Sequence, residues 1–204
     1  MRESIGATWI FGIVIVFVTI FTGYLAFSVN FSKAFAFKDE IIDVLEKYDG
    51  PGDDVIGDIA NGTTKALEEI ANYTKEINYG SKGSCETVLR RLYGDETYSK
   101  KRDAIMGVNI SVIPKANGTY ASVTRGDSFL GDELFHFCLV REGETGKGNN
   151  AYLSFSSYRV ITFFSININI LRMFGNYYVS GETKNISYPK DAFLKEELEE
   201  VIWT

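Results

Sequence analysis

The only histidine in the chain, His136, lies two residues from one of its two cysteines in the run Phe135-His136-Phe137-Cys138. An imidazole beside a thiol is the material of a nucleophile–base pair, but such a pair also needs a third group to orient the base. The flanking residues alternate as in a strand, and no orienting partner stands near, so the run reads as sheet sequence. A lone histidine excludes His-based metal triads. Cys85 and Cys138 fit no CxxC or zinc-ligand spacing. They are either partners in a disulfide, closing a loop worth about 4 kcal/mol on the chain-entropy model, or two separate buried thiols.

Three further motifs approach a chemistry and stop short. Gly143-Glu144-Thr145-Gly146-Lys147-Gly148 has the look of a phosphate-binding loop. Lys147 is followed by glycine rather than Ser or Thr, and no helix pattern follows to supply a dipole, so a hairpin tip is expected. Asp53, Asp54 and Asp58 follow Gly50-Pro51-Gly52 and suit a helix N-terminus; their spacing is not that of a calcium loop. Lys100-Lys101-Arg102 is interleaved with acids and reads as a solvated loop. No catalytic residue, cofactor site or metal site is expected, and the chain is read as a non-enzyme.

What positions these residues is dominated by one element. Trp9 to Val29 is a 21-residue stretch without a charge, which as a helix reaches roughly 31 Å and suffices to cross a bilayer core. Within it Trp9, Phe11, Gly12, Phe17, Phe21, Gly23 and Tyr24 are the candidate anchor residues. Ala34-Phe35-Ala36 imitates a signal-peptidase site, so a removed signal peptide is the alternative. Beyond Val29, Phe31, Ala34, Phe35, Ile41, Ile42, Leu45 and Tyr48 recur at spacings of three and four, with Lys38, Asp39, Asp43, Glu46 and Lys47 between them. One helix from Glu3 to Tyr48 is expected, half in lipid and half packed on a soluble body.

A second helical pattern covers Asp53–Asn78, and Cys85–Leu92 is either a short helix or an irregular crossing. From Met106 the period becomes two. Strands are expected at Val108–Ile113, Tyr120–Val123, Phe135–Arg141, Tyr152–Ile170 and Tyr177–Tyr188, with a turn at Ala116-Asn117-Gly118. Ile166, Ile168 and Ile170 alternate with Asn167 and Asn169, as on a sheet with one wet face. Pro189–Trp203 suggests a closing amphipathic helix. The fold class is α+β, a long N-terminal transmembrane helix continuing as a stalk and packed on an antiparallel sheet. The divisions are a lead at 1–7, an anchor at 8–29, a stalk at 30–50 and an extracytoplasmic domain at 51–204.

The net charge of −6 belongs entirely to the body after the anchor. That balance argues against nucleic acid and against a basic lipid-binding patch. The short lead Arg2-Glu3-Ser4-Ile5-Gly6-Ala7, the apolar span, the Gly23-Tyr24 step and the mixed extension Asn30–Tyr48 together resemble the TadE/TadG-like minor pilins, within the type IV pilin-like proteins. Val179–Lys184 resembles their last strand. Phe11 stands five residues past Gly6, where a processed pilin of that kind carries glutamate. The resemblance implies a single-pass surface protein of the cell membrane with a cytoplasmic N-terminus and an extracytoplasmic body. It also implies, as partners, the bilayer through residues 9–29 and either other pilin-like subunits or an assembly platform.

Overall fold

The computed structural model describes residues 2–51, 65–113, 118–125, 133–142, 153–168 and 173–189. Helix α1 runs unbroken from Arg2 to Lys47. It stops where Asp49 takes a φ of 54° and the Gly50 N–H returns to the Leu45 carbonyl at 2.7 Å, a left-handed cap that closes the last turn. Helix α2 (Lys65–Glu76) ends the same way, with Asn78 at φ 50° and the Tyr79 N–H on the Thr74 carbonyl. It is the latter part of the pattern expected over Asp53–Asn78; residues 52–64, with Asp53, Asp54 and Asp58, lie outside the described residues.

Helix α3 (Cys85–Tyr93) starts at Ser84, whose side chain accepts the Thr87 N–H. Gly94, at φ 77°, breaks it from α4 (Asp95–Lys101), and a 3-10 turn at Arg102–Ala104 leads into the sheet. The strands are β1 (Ile105–Ile113), β2 (Gly118–Arg125), β3 (Phe137–Glu142), β4 (Leu153–Ile168), β5 (Met173–Glu182) and β6 (Ile186–Pro189). Their order is β2-β1-β3-β4-β5, antiparallel throughout, with β6 also on β4.

Strands β5 and β6 are one strand interrupted by a bulge. Residues 159–168 of β4 pair with 182–173 in one register, and 153–156 pair with 189–186 in a register shifted by one. Three residues, Thr183 to Asn185, therefore face two on β4. The Thr183 N–H donates to the Tyr158 carbonyl, and the Tyr158 N–H donates to Thr183 Oγ1, both at 2.9 Å. A hydroxyl stands in for a ladder carbonyl.

Alternation along the strands gives the sheet two buried faces. Val108, Phe137, Leu139, Tyr158, Val160 and Phe164 face α1 and α2, where Phe37, Ile41, Leu45, Leu67 and Ile70 complete the larger core. Ile105, Cys138, Val140, Ile161 and Phe163 face the other way, against Cys85 and Leu89 of α3 and Tyr98 of α4. The α+β class holds, as helix, sheet and helix; the alternation expected at Ile166–Ile170 falls on side chains outside the described residues. The covering segment is short and charge-rich, with Cys85, Leu89 and Tyr98 as its deep anchors. The closing helix expected from Pro189 is not there at its start, because Pro189 ends β6; residues 190–204 lie outside the described residues.

Phe37 is the pivot of the larger core. Its ring lies 4.2 Å from that of Tyr79 and edge-on to Phe137 at 5.8 Å. The Phe37→Ala variant should lose roughly 3–5 kcal/mol of stability in urea titrations of the detergent-solubilised chain. Phe17→Ala, which truncates the same side chain on the bare half of α1, should leave the midpoint unchanged.

Candidate functional site

The site that organises the molecule is the junction between α1 and the sheet. Of the expected anchor residues, Trp9, Phe11, Phe17, Phe21 and Tyr24 are all more than half exposed, Trp9 to 70%. Gly12 is open on every side, with no heavy atom within 4 Å of the position a Cβ would take. A run this apolar, left uncovered over more than two turns, has no stable home in water. It is one helix long and apolar enough to cross a membrane. Gly23 differs from its neighbours and is buried.

From Phe27 onward the helix meets the sheet. Phe27 and Phe31 both place their rings edge-on to Phe164 at 5.8 Å, and Phe164 stacks on Tyr177 at 5.4 Å. Further along, Thr162 Oγ1 donates to the Ala34 carbonyl at 3.1 Å in a buried setting. Lys38, expected with the charges opposite the apolar stripe, is buried. Its stem lies against Gly181, where an added Cβ would come within 3.0 Å of it, and its ammonium pairs with Asp39 at 2.7 Å. At the end of the junction Glu46 takes both donors of Lys184, the backbone N–H at 2.8 Å and the ammonium at 3.0 Å. The backbone bond first, then the side-chain bond, holds the Glu46 carboxyl below its ordinary range. The bulge makes this possible, because it turns the Lys184 N–H out of the ladder.

On the opposite face Cys85 and Cys138 form a disulfide, with Cα atoms 5.8 Å apart. It ties the first residue of α3 to the second residue of β3. Towards the other end of β3 sits a dense group of ionisable side chains. The Tyr93 hydroxyl donates to Glu142 Oε1, Lys101 Nζ lies 2.5 Å from Glu142 Oε2, and Arg159 Nη2 pairs with Glu182. Arg159 Nε lies 3.4 Å from Glu142, an ion pair without a hydrogen bond. Lys101 and Arg159 both sit over the Tyr93 ring, at 4.9 and 5.2 Å. Burial and the Glu142 bond push the Tyr93 hydroxyl well above the usual tyrosine range, so it keeps its proton. Burial would raise Glu142, but the bonds from Lys101 and Tyr93 outweigh it and hold the carboxyl down. With two carboxylates matched to two cations and no deprotonated nucleophile, the group can clamp α3 and α4 to the sheet. The solvated loop expected at Lys100-Lys101-Arg102 is thereby corrected: Lys100 and Lys101 end α4, Arg102 opens the 3-10 turn, and Lys101 is half-buried in this clamp.

His136 is not paired with Cys138 for catalysis, since that sulfur is in the disulfide. It is buried, and its Nδ1 accepts the Ile110 N–H at 3.0 Å. The chain at Phe135 has left β1 to bridge Gly83, so the imidazole continues the ladder where backbone no longer can. Gly83 is obligatory there, because a Cβ would overlap the Phe163 ring. Among the described residues no three His, Cys, Asp or Glu side chains converge as metal ligands. The phosphate-loop look-alike at 143–148 lies outside the described residues.

Burial, with the charge of Lys82 adding to it, lowers His136 from the usual 6.5 to about 4. Only the neutral ring can accept the Ile110 N–H, so its contribution is complete above the unfolded value. It is lost as pH falls from about 6.5 to about 4, and amounts to about 3 kcal/mol over that window. Denaturation midpoints measured across that window should fall accordingly. His136→Asn, whose Oδ1 keeps an acceptor near the Nδ1 position without a titrating ring, should flatten that part of the profile. An unchanged slope in the variant would assign the pH dependence to other groups.

No protein-family model, no curated protein and no solved structure matches the chain.

Proposed function

We propose that this chain is a membrane-anchored, non-catalytic pilin-like protein of the cell surface, a minor component of a pilus or tight-adherence assembly. One observation carries the reading. A single 46-residue helix leaves Trp9–Thr22 largely bare and, from Phe27 onward, packs one side on the face of an antiparallel sheet. Bare apolar helix is satisfied by lipid before assembly and by other such helices after it. Gly12, beside Trp9, Ile13 and Val16 on a bare face of the helix, lets a neighbouring helix approach closely. The sheet, disulfide and α3–α4 layer form the displayed body. A Cys85–Cys138 disulfide belongs to an oxidising compartment, which supports an extracytoplasmic body and a cytoplasmic N-terminus.

Asn72 is exposed on α2 and takes no part in either core, so Asn72→Cys reports the side on which the body lies. A membrane-impermeant maleimide should label it in intact bacteria producing the full chain. Labelling only after lysis would place the body in the cytoplasm and end the surface-display reading. Gly12→Cys tests assembly separately. Oxidative cross-linking in native membranes should yield covalent dimers of the full chain, and a monomer at all expression levels would leave an anchored domain that does not polymerise.

A further inference from the structure

The sheet does not stop where the apolar segment begins. Strand β3 leaves β4 at the Phe137–Thr162 pair, yet β4 continues to Ile168 and stays paired with β5 back to Met173. A two-stranded ribbon therefore projects beyond the sheet, and it projects along α1. Contacts follow the helix in step: Lys184 at Glu46, Gly181 at Ile42 and Lys38, Thr162 at Ala34, then Phe164 and Tyr177 at Phe27. Four more residues of strand beyond Phe164 add on the order of 13 Å. That equals about nine residues of helix, which brings the end of β4 abreast of Ile20.

Gly23 supports the same geometry independently. It is the one buried position between Trp9 and Lys33. Gly12, a glycine on the same helix with helical neighbours of its own, is exposed and has nothing near its missing Cβ. Helical neighbours alone therefore do not bury a glycine here. Gly23 lies about six residues before the Phe27–Phe31 contact, where the projecting ribbon passes.

We propose that this ribbon, residues 165–168 and 173–176, is a second membrane-contacting element, seated in the headgroup layer of the bilayer beside α1. This rests on the anchored reading above. Three features on the ribbon and its base fit that depth. Its sequence mixes Ile166, Ile168, Met173 and Phe174 with Ser165, Asn167 and Asn176, as suits a zone where apolar groups and water meet. At its base stands a cluster of five rings, Phe27, Phe31, Phe35, Phe164 and Tyr177, the residue class that gathers at membrane–water boundaries. Finally, the ribbon has left β3, so among the described residues β4 beyond Thr162 has one ladder edge without a neighbouring strand, and β5 is the last strand of the sheet. Such edges are not tolerated in hydrocarbon but are satisfied by water among headgroups. The ribbon thus sets how far α1 sinks: its end, abreast of Ile20, marks where the helix enters the hydrocarbon, which the 17 uncharged residues Ser4–Ile20, about 25 Å of helix, then cross.

Nitroxide labels on Asn167→Cys and Ile168→Cys, two adjacent positions that sample both faces of the strand, test this in the full oxidised chain reconstituted into phosphatidylcholine vesicles. Val16→Cys and Asn72→Cys serve as references for lipid and water. The ratio of collision with oxygen to collision with a water-soluble nickel chelate should be several-fold higher at one or both ribbon positions than at Asn72, and below that at Val16. Water-like values at both ribbon positions, with Val16 in lipid, would overturn the proposal and leave the anchor intact. Low collision with both reagents would mean that protein, such as a second copy, covers the ribbon, and would overturn it equally. A water-like Val16 would instead refute the anchored reading itself.

Discussion

One continuous helix carries two different side-chain surfaces, and the rest of the molecule is arranged around the change between them. Backbone hydrogen bonds inside α1 are satisfied whether lipid, water or protein surrounds it. What changes along its length is only the side-chain surface: apolar on all sides up to Val29, then a stripe made of Ala34, Phe37, Ile41, Val44 and Leu45. The stripe is worth little without a partner surface, and β4 and β5 supply it. Phe37, Tyr79 and Phe137 fill the deepest part of that contact. The Tyr79 hydroxyl donates to the Phe163 carbonyl at the edge that β3 has vacated.

The second face is held by different means. Helices α3 and α4 are short, with 9 and 7 residues, and neither would persist alone. Their apolar contribution is small, so a covalent tie and a charge clamp take over. The disulfide fixes one end, and Tyr93, Lys101, Glu142 and Arg159 fix the other. An ion cluster of this kind adds positional definition more than net stability. It works here because the sheet beneath it is already held rigid by the larger core.

Much of this was legible in the residues. Helix α1 announced itself by length and period, since an uncharged run followed by threes and fours has few other solutions. The change to period two marked the strands to within a few residues, because five of them alternate or are densely β-branched. The cystine stood open as one of two readings. What the chain does not spell out are partnerships between distant polar side chains. Nothing near Lys101 signals Glu142, nothing near Glu46 signals Lys184, and the charged spacing of residues 95–102 looks the same solvated or clamped. Two ladder positions filled by side chains, His136 and Thr183, are equally invisible, since each depends on where the partner strand runs out of backbone. The run of anchor residues was visible, but the burial of Gly23 was not, because nothing in its flanking residues sets it apart from the exposed Gly12.

The bulge at Thr183–Asn185 has a consequence for height. Apolar packing between a helix and a sheet is forgiving along the helix axis; one turn of slippage exchanges one set of methyl groups for another. The Glu46–Lys184 pair is not forgiving, since a single carboxylate receives both donors of one residue. With the Thr162–Ala34 bond it pins the axial position at two points. Helix α1 is unbroken, so the pin is transmitted rigidly: Glu46 stands 30 residues from Val16, about 45 Å along the axis. The molecule is in this sense a gauge. A one-residue bulge in an edge strand decides where along α1 the body sits and which way it faces.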